Sequence, residues 1–182
     1  MDASGLPITR IAGISNMDNI KKGDNRKSTT HIIKGSDNVV NGLVQLMEKA
    51  HRINVCVDNT RPLLAIEFKQ IKDAFINAKK RGITVRYITE ITKNNLSYCN
   101  KLMSIVELRH LNGIKGNFYV SEDQYVAPST LREKEEFSEW MIYSDVKEIV
   151  EHQQYIFDSL WNTSISAERK TLEIQRYNRN HR

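Results

Sequence analysis

Residues Ile53–Thr92 constrain this chain more than any other stretch. They read INVCVDN, then TRPLLAIEFKQIKDAFINAKKRG, then ITVRYITEIT. The outer segments are rich in β-branched and aromatic residues, and the middle one is amphipathic. Leu64, Phe68, Ile71, Phe75 and Ala78 recur at steps of four and three, one face of a 3.6-residue period. Pro62 suits a first helical turn, where its missing N–H costs nothing. Lys79, Lys80 and Arg81 followed by Gly82 suit a helix end: cations near the last carbonyls, then a residue that tolerates positive φ. The spacing predicts strand, helix and strand, a right-handed βαβ unit with parallel strands.

In such sheets ligands gather beyond the carboxyl ends of the strands. Those ends carry Asp58, Asn59, Thr60 and Arg61 after the first strand, and Thr89, Glu90 and Thr92 after the second. Arg61 is the foremost candidate. It stands where a strand gives way to a helix N-terminus, so its guanidinium and the helix dipole both favour an anionic group. Glu90 then pairs with Arg61 or accepts hydroxyls from a sugar-like ligand. The plainer reading is an internal Arg61–Glu90 salt bridge that fixes the strand ends.

Charge is unevenly placed. The net charge is +5, but residues 1–30 hold five Lys/Arg against three Asp/Glu, and residues 168–182 hold five against two. The body between them, 31–167, has 17 of each. A neutral body argues against a domain-wide phosphate-binding face, and no helix-turn-helix can be placed, so nucleic acid is not an expected partner. No apolar run approaches the roughly 20 residues of a membrane span, and the N-terminus lacks the apolar core of a secretory signal. A cytoplasmic protein with no membrane partner is expected. Cys56 and Cys99 show no metal-ligand spacing, so two buried free thiols are expected, and no metal or cofactor.

The rest of the chain falls into short elements. Residues 1–28 mix Gly, Asn, Asp, Lys and Ser without periodicity and read as a flexible leader. Thr29–Lys34 reads as a strand, followed by a helix with Val39, Val40, Leu43, Val44 and Met47 inward. After Thr92-Lys93-Asn94-Asn95, which can cap a helix, Leu96, Cys99, Leu102, Met103 and Val106 share one face. Glu107–Leu111 alternates as a strand does. Asn117–Ser121 and Gln124–Ala127 form a hairpin around Glu122-Asp123, and Phe137–Tyr143 is the last strand. Ser144 or Asp145 caps a long helix with Val146, Ile149, Val150, Ile156, Phe157, Leu160 and Trp161 on its apolar side. Ile165–Tyr177 is helix-compatible but strongly charged, with Leu172 and Ile174 as its few anchors, and reads as a connector. The organisation expected is a leader (1–28), one α/β domain (29–163) and a connector helix or tail (164–182).

No glycine-rich phosphate loop, nucleophile elbow or metalloprotease motif is present. His110, near a strand end, is placed to reach the pocket mouth, and Asn117 opens the hairpin beside it. His152 is followed by Gln153 and Gln154, where the phosphoacceptor histidine of a sensor kinase is usually followed by an acid.

The order of elements, with GNFYVSEDQYVA after a strand and turn, resembles the phospholipase D-like fold: an α/β domain with a mixed sheet flanked by helices. That family places His-x-Lys, and an Asp five residues after the Lys, on such a hairpin. With Asp123 at the Asp position, Gly116 stands for the His and Phe118 for the Lys. Glycine and phenylalanine can neither attack phosphorus nor neutralise a phosphoryl oxygen, so the resemblance implies the fold and a chain that is not an enzyme. The stretches NTRPLLAI, RGITVRYITEITKNNLSYC, LRHLNGIKGNFYVSEDQYVAP and VKEIVEHQQYIFDSLWNTSISAERK also resemble the N-terminal input domain of archaeal sensor histidine kinases of ammonia-oxidising lineages. A related degenerate module is the effector domain of TrmB-type regulators. This likeness spans about Thr29–Gln175 and implies a non-catalytic signal-input domain that senses a small anionic or sugar-like ligand, transmits through its C-terminal helix to a kinase or other signalling module, and works as a homodimer. The alternatives are a dimerisation or interaction module, or a divergent phosphodiesterase in which His110 replaces the lost nucleophile.

Overall fold

In a computed structural model, which describes residues 28–131 and 136–180, the chain forms one eight-stranded mixed sheet with helices on both faces. The elements run β1 (Thr30–Lys34), α1 (Ser36–Lys49), β2 (Ile53–Cys56), α2 (Arg61–Glu67), α3 (Lys69–Lys80), β3 (Val85–Thr89), α4 (Leu96–Leu102), β4 (Glu107–His110), β5 (Phe118–Val120), β6 (Tyr125–Pro128), β7 (Trp140–Ser144), α5 (Lys147–Thr163), β8 (Ile165–Ser166) and α6 (Ala167–Asn180). The strand order is β1-β7-β6-β5-β2-β3-β4-β8. This is the mixed α/β architecture, with a C-terminal helix, that the sequence implies. The leader expected over 1–28 lies, but for its last residue, outside the described residues. Among the described residues, no helix is long and apolar enough to cross a membrane.

The βαβ expectation holds at its core. β2 and β3 pair in parallel, Ile53 with Val85 through Cys56 with Ile88, and Gly82 adopts φ 79 just after α3. The linking helix is two helices rather than one. Phe68 breaks it at φ −81, ψ 103, and its ring packs against Phe137 with centroids 4.9 Å apart. The expected stripe does not run unbroken through this point: α2 buries Arg61, Pro62, Ala65 and Ile66, while Leu64 and Phe68 are half-buried against the same core. Ile71, Ala74, Phe75 and Ala78 of α3 are buried, and Phe75 meets Tyr87 edge-on at 6.0 Å. Truncating a buried phenylalanine of this kind costs about 3–5 kcal/mol.

Alternation along the strands makes two cores. Ile53, Val55, Val85, Tyr87, Tyr119, Val126 and Met141 face α1–α4, while Cys56, Ile88 and Val120 face α5 with Val150, Phe157 and Trp161. The α5 side also carries a polar network. Asn54 Nδ2 donates to Gln154 Oε1 at 2.6 Å, and Gln154 Nε2 donates to the Ser121 carbonyl at 2.6 Å. Arg86 donates to Asn54 Oδ1 and to Asp158, each at 2.8 Å, with its guanidinium 4.9 Å from the Phe157 centroid. Burial of these groups is sustained because each one finds a partner.

The C-terminal region docks more than its charge suggests. β8 pairs antiparallel with β4, His110 opposite Ile165, and Ala167, Thr171 and Ile174 are buried. Cys56 and Cys99 are free and buried, and burial pushes each thiol up to about 12. They belong to opposite cores, on the two faces of the sheet.

Candidate functional site

The carboxyl ends of β2 and β3 do bring polar residues together. Asp58 is half-buried. Thr60 donates to Asp58 Oδ1 from its backbone N–H at 2.9 Å and from its hydroxyl at 2.5 Å. Asn117 donates to Asp58 Oδ2 at 2.9 Å. Thr89 is fully buried, and its hydroxyl donates to the Asp58 carbonyl at 2.9 Å. Burial works to raise the Asp58 carboxyl, but the hydrogen bonds from Thr60 and Asn117, with the Arg61 charge behind them, outweigh it and hold it below its ordinary value. Asp58 is therefore an ionised organiser of its own turn.

A second tie joins the two strand-end loops. Asn95, 6 % exposed, donates from Nδ2 to the Asn59 carbonyl at 2.8 Å and to the Glu90 carbonyl at 2.9 Å. Its Oδ1 accepts the Thr92 N–H at 2.8 Å. The sequence reads Asn95 as one of several helix caps, yet its side chain makes no cap hydrogen bond to α4 and spans the β2–α2 and β3–α4 loops instead. Above it lies a cleft of about 300 Å³ lined by Asn59, Thr60, Leu63, Thr92, Asn94, Asn95 and Tyr98. Sequence reasoning finds Asn59, Thr60 and Thr92, and misses Leu63, Asn94, Asn95 and Tyr98. The last two carry a visible signal only in hindsight: an amide and an aromatic three residues apart, at the start of a helix that follows a strand end.

Arg61 does not enter this cleft. It is 2 % exposed and turns under α2, donating through Nη2 to the Ser129 carbonyl at 2.5 Å and to Ser138 Oγ at 2.9 Å. Both expectations for Glu90 as its partner fail. Among the described ion pairs none joins Arg61 to Glu90, because the guanidinium leaves the strand ends for the opposite side of the turn. His110 also stands apart. It is 3 % exposed, its Nδ1 accepts the Ile91 N–H at 2.9 Å, and its Nε2 is 2.9 Å from Asn112 Oδ1. Both ring nitrogens are committed, so it supports the cleft loop from behind. Burial, then the Lys170 charge, depresses its pKa against smaller opposing effects of Asn112, Glu90 and Glu173.

The hairpin places Phe118 beneath α5, edge-on to Phe157 at 6.5 Å, on the side of the sheet away from Tyr119 and α1–α4. Gly116, at φ 92, leads into β5, and Asp123 sits in the β5–β6 turn beside Ser121.

No family model and no curated protein matches the sequence. Solved structures do match the fold. NucT from Helicobacter pylori is similar at TM-score 0.61 and 13 % identity, over 77 % of this chain and 99 % of that one. Nuc, a phospholipase D family member from Salmonella typhimurium, is similar at TM-score 0.61 and 13 % identity, over 77 % and 98 %. TrmBL2, described as an archaeal chromatin protein that shows a novel mode of DNA binding, is similar at TM-score 0.57 and 15 % identity, over 76 % of this chain. The chain spans about half of TrmBL2, 53 % of its length. The fold is thus phospholipase D-like.

Two expectations are corrected by these likenesses. The reading that the chain is not an enzyme rested on aligning Asp123 and finding Gly116 and Phe118 in the catalytic places. The fold is shared with a phospholipase D family member, and Phe118 packs under α5 rather than at the strand-end site, so that alignment cannot exclude catalysis. The reading that nucleic acid is an improbable partner rested on a neutral charge count. The fold is shared with a DNA-binding chromatin protein, and a net count says nothing about how cations are distributed over a surface.

Proposed function

We propose that this chain is a ligand-sensing signal-input domain whose ligand occupies the cleft at the ends of β2 and β3 and whose output leaves through α5 and α6 to a signalling module of the histidine-kinase type. The observation that carries the reading is Asn95, which ties the loop of Asn59 to the loop of Glu90 and Thr92 beneath the cleft. A ligand seated there touches both loops at once.

The lining supports a neutral, hydroxyl-rich ligand. It offers amides from Asn59, Asn94 and Asn95, hydroxyls from Thr60, Thr92 and Tyr98, and the apolar faces of Leu63 and Tyr98. None of these seven residues is charged. Such a mixture hydrogen-bonds a sugar's edge and packs on its faces.

The route outward is contiguous. The cleft loop hangs from His110 through the Ile91 N–H, and His110 lies opposite Ile165 in β8, which runs directly into α6. On the same loop, Lys93 Nζ lies 4.5 Å from the Tyr177 ring centroid of α6. A ligand that prefers one arrangement of the loop biases α6 by its differential affinity for the two arrangements.

Thermal unfolding against neutral mono- and disaccharides and polyols tests the reading, with Tyr98→Ala beside wild type. Duplex DNA and a generic phosphodiester substrate run as parallel arms. The expected result is a saturable rise in Tm with at least one neutral sugar, abolished in Tyr98→Ala. Sugars without effect on wild type, or shifts of equal size in the variant, would overturn the assignment of the cleft.

A further inference from the structure

The two edges of the sheet differ. β8 is two residues long and runs directly into α6, which packs on both β4 and β8. β1 is five residues long and stands at the other end of the strand order, beside β7. It carries few of the devices that usually blunt an edge. It holds no proline, its lysine is its last residue, and its register runs from Thr30–Ser144 to Lys34–Trp140 without a bulge.

The ladder fixes which backbone groups of β1 face outward. The Gly35 N–H donates to the Glu139 carbonyl at 2.8 Å, and the Asp145 N–H donates to the Thr29 carbonyl at 3.1 Å. Bonded and non-bonded positions alternate along an antiparallel pair. Residues 29, 31, 33 and 35 therefore bond to the β7 side, and Thr30, Ile32 and Lys34 turn their N–H and C=O groups away from it. The side chains of these same three residues lie on the α5 side of the sheet. Ile33 goes the other way, against the core that holds Met141, and His31 meets Tyr143 at 5.0 Å. α5 packs over β2, β5 and β6, which leaves this end of the face open: Ile32 is 58 % exposed and Trp140 41 %. Ile32, Ile142 and Ala127 stand in one row across β1, β7 and β6.

We propose that β1 is the interface with a second copy of this chain, the two strands pairing antiparallel about a two-fold axis at Ile32 so that two sheets become one. The register selects this occupant. The outward positions 30, 32 and 34 are symmetric about Ile32. Turning a second β1 about that axis sets Ile32 opposite Ile32 and Thr30 opposite Lys34, and every outward N–H meets an outward C=O. The side chains agree with the backbone. The row Ala127, Ile142, Ile32 continues into the same three residues in reverse, an apolar stripe that crosses the joint. Each lysine meets a threonine and not the other lysine, so no like charges face each other. The interface is independent of the cleft reading, because β5, β6 and β7 separate β1 from β2.

The test is sedimentation equilibrium of the full chain over a wide range of concentration, with Ile32→Lys and Ile32→Pro beside wild type. Ile32→Lys places like charges face to face across the axis. Ile32→Pro deletes an outward N–H and spares the β7 ladder, the setting in which an edge strand accepts proline. The expected result is a reversible monomer–dimer equilibrium whose dissociation constant rises about tenfold or more in both variants. Amide exchange of wild type gives a second readout that needs no variant to fold. Protection at Ile32 and Lys34 should rise with protein concentration, and protection at Ile33, which bonds to β7, should not. A monomer at every concentration, a dimer equally stable in both variants, or protection at Ile32 independent of concentration, which would mean that another segment of the same chain holds the edge, would overturn the proposal.

Discussion

Asp58 and Asn117 hold each other through two hydrogen bonds that run in opposite directions. The Asp58 backbone N–H donates to Asn117 Oδ1 at 3.0 Å, and Asn117 Nδ2 donates to Asp58 Oδ2 at 2.9 Å. The pair closes the end of β2 against the start of β5, so the turn that carries Asn59, Thr60 and Arg61 is fixed from below.

This pairing has a pH signature. The Asp58 carboxyl lies below its ordinary value in the folded chain, so the unfolded chain binds the proton more readily. The stability it contributes is complete above about pH 3.9, the ordinary aspartate value, and is lost as the pH falls through the lower folded value. Asp58→Asn keeps the shape and removes the titration. Urea midpoints of wild type and variant, measured from neutral pH downward, should differ near neutrality and converge in acid. A constant gap across the range would show that the carboxylate charge is irrelevant to the turn.

His110 titrates in a separate window. Its folded pKa is depressed, chiefly by burial, so its contribution is complete above about pH 6.5 and is lost as the pH falls through the folded value. His110→Gln should flatten the stability profile in that mildly acidic window and leave the Asp58 window untouched. Because His110 holds the Ile91 N–H, amide exchange at Ile91 should quicken in the variant. Unchanged exchange there would separate His110 from the cleft loop.

Asn95→Ala should cost about 1–3 kcal/mol, the usual effect of leaving buried groups without partners. Three backbone groups lose their bond: the Asn59 and Glu90 carbonyls and the Thr92 N–H. Any sugar-dependent rise in Tm should vanish with it, since the two walls of the cleft are no longer held together. Chemical denaturation and the sugar panel read the two effects independently. Preserved sugar response in a destabilised Asn95→Ala would place the ligand elsewhere.

The α5 network predicts a strong coupling. Asn54→Leu strands both Gln154 Oε1 and the Arg86 Nε donor, and should be destabilising by about 1–3 kcal/mol. Gln154→Leu alone also frees the Ser121 carbonyl, so the double variant should lose less than the sum of the two single losses, because the Asn54–Gln154 bond is then counted once. Strict additivity in the double-mutant cycle would argue that the two amides do not act as a unit.

Much of this fold is legible from local pattern because local pattern is its cause. Alternation in INVC and VRYIT and the period through Ile71, Phe75 and Ala78 report which side of each element meets the core, and Gly82 marks a turn that needs positive φ. The same reasoning locates the polar strand ends, since a parallel βαβ unit always delivers them to one edge. What it cannot see is decided by residues far away in the chain. The break at Phe68 depends on Phe137, a partner 69 positions on. β8 is two residues long and exists only because β4 offers an edge. Arg61 reads as a cleft residue from its neighbours, and turns inward because Ser129 and Ser138 present a carbonyl and a hydroxyl under α2. Local pattern is enough for the elements, most of their inward faces and the edge where Asp58, Thr60 and Thr92 gather. The direction of Arg61 and the tie that Asn95 makes between the two loops come from long-range packing, because a side chain's direction is set by the donors and acceptors that distant segments bring within about 3 Å of it.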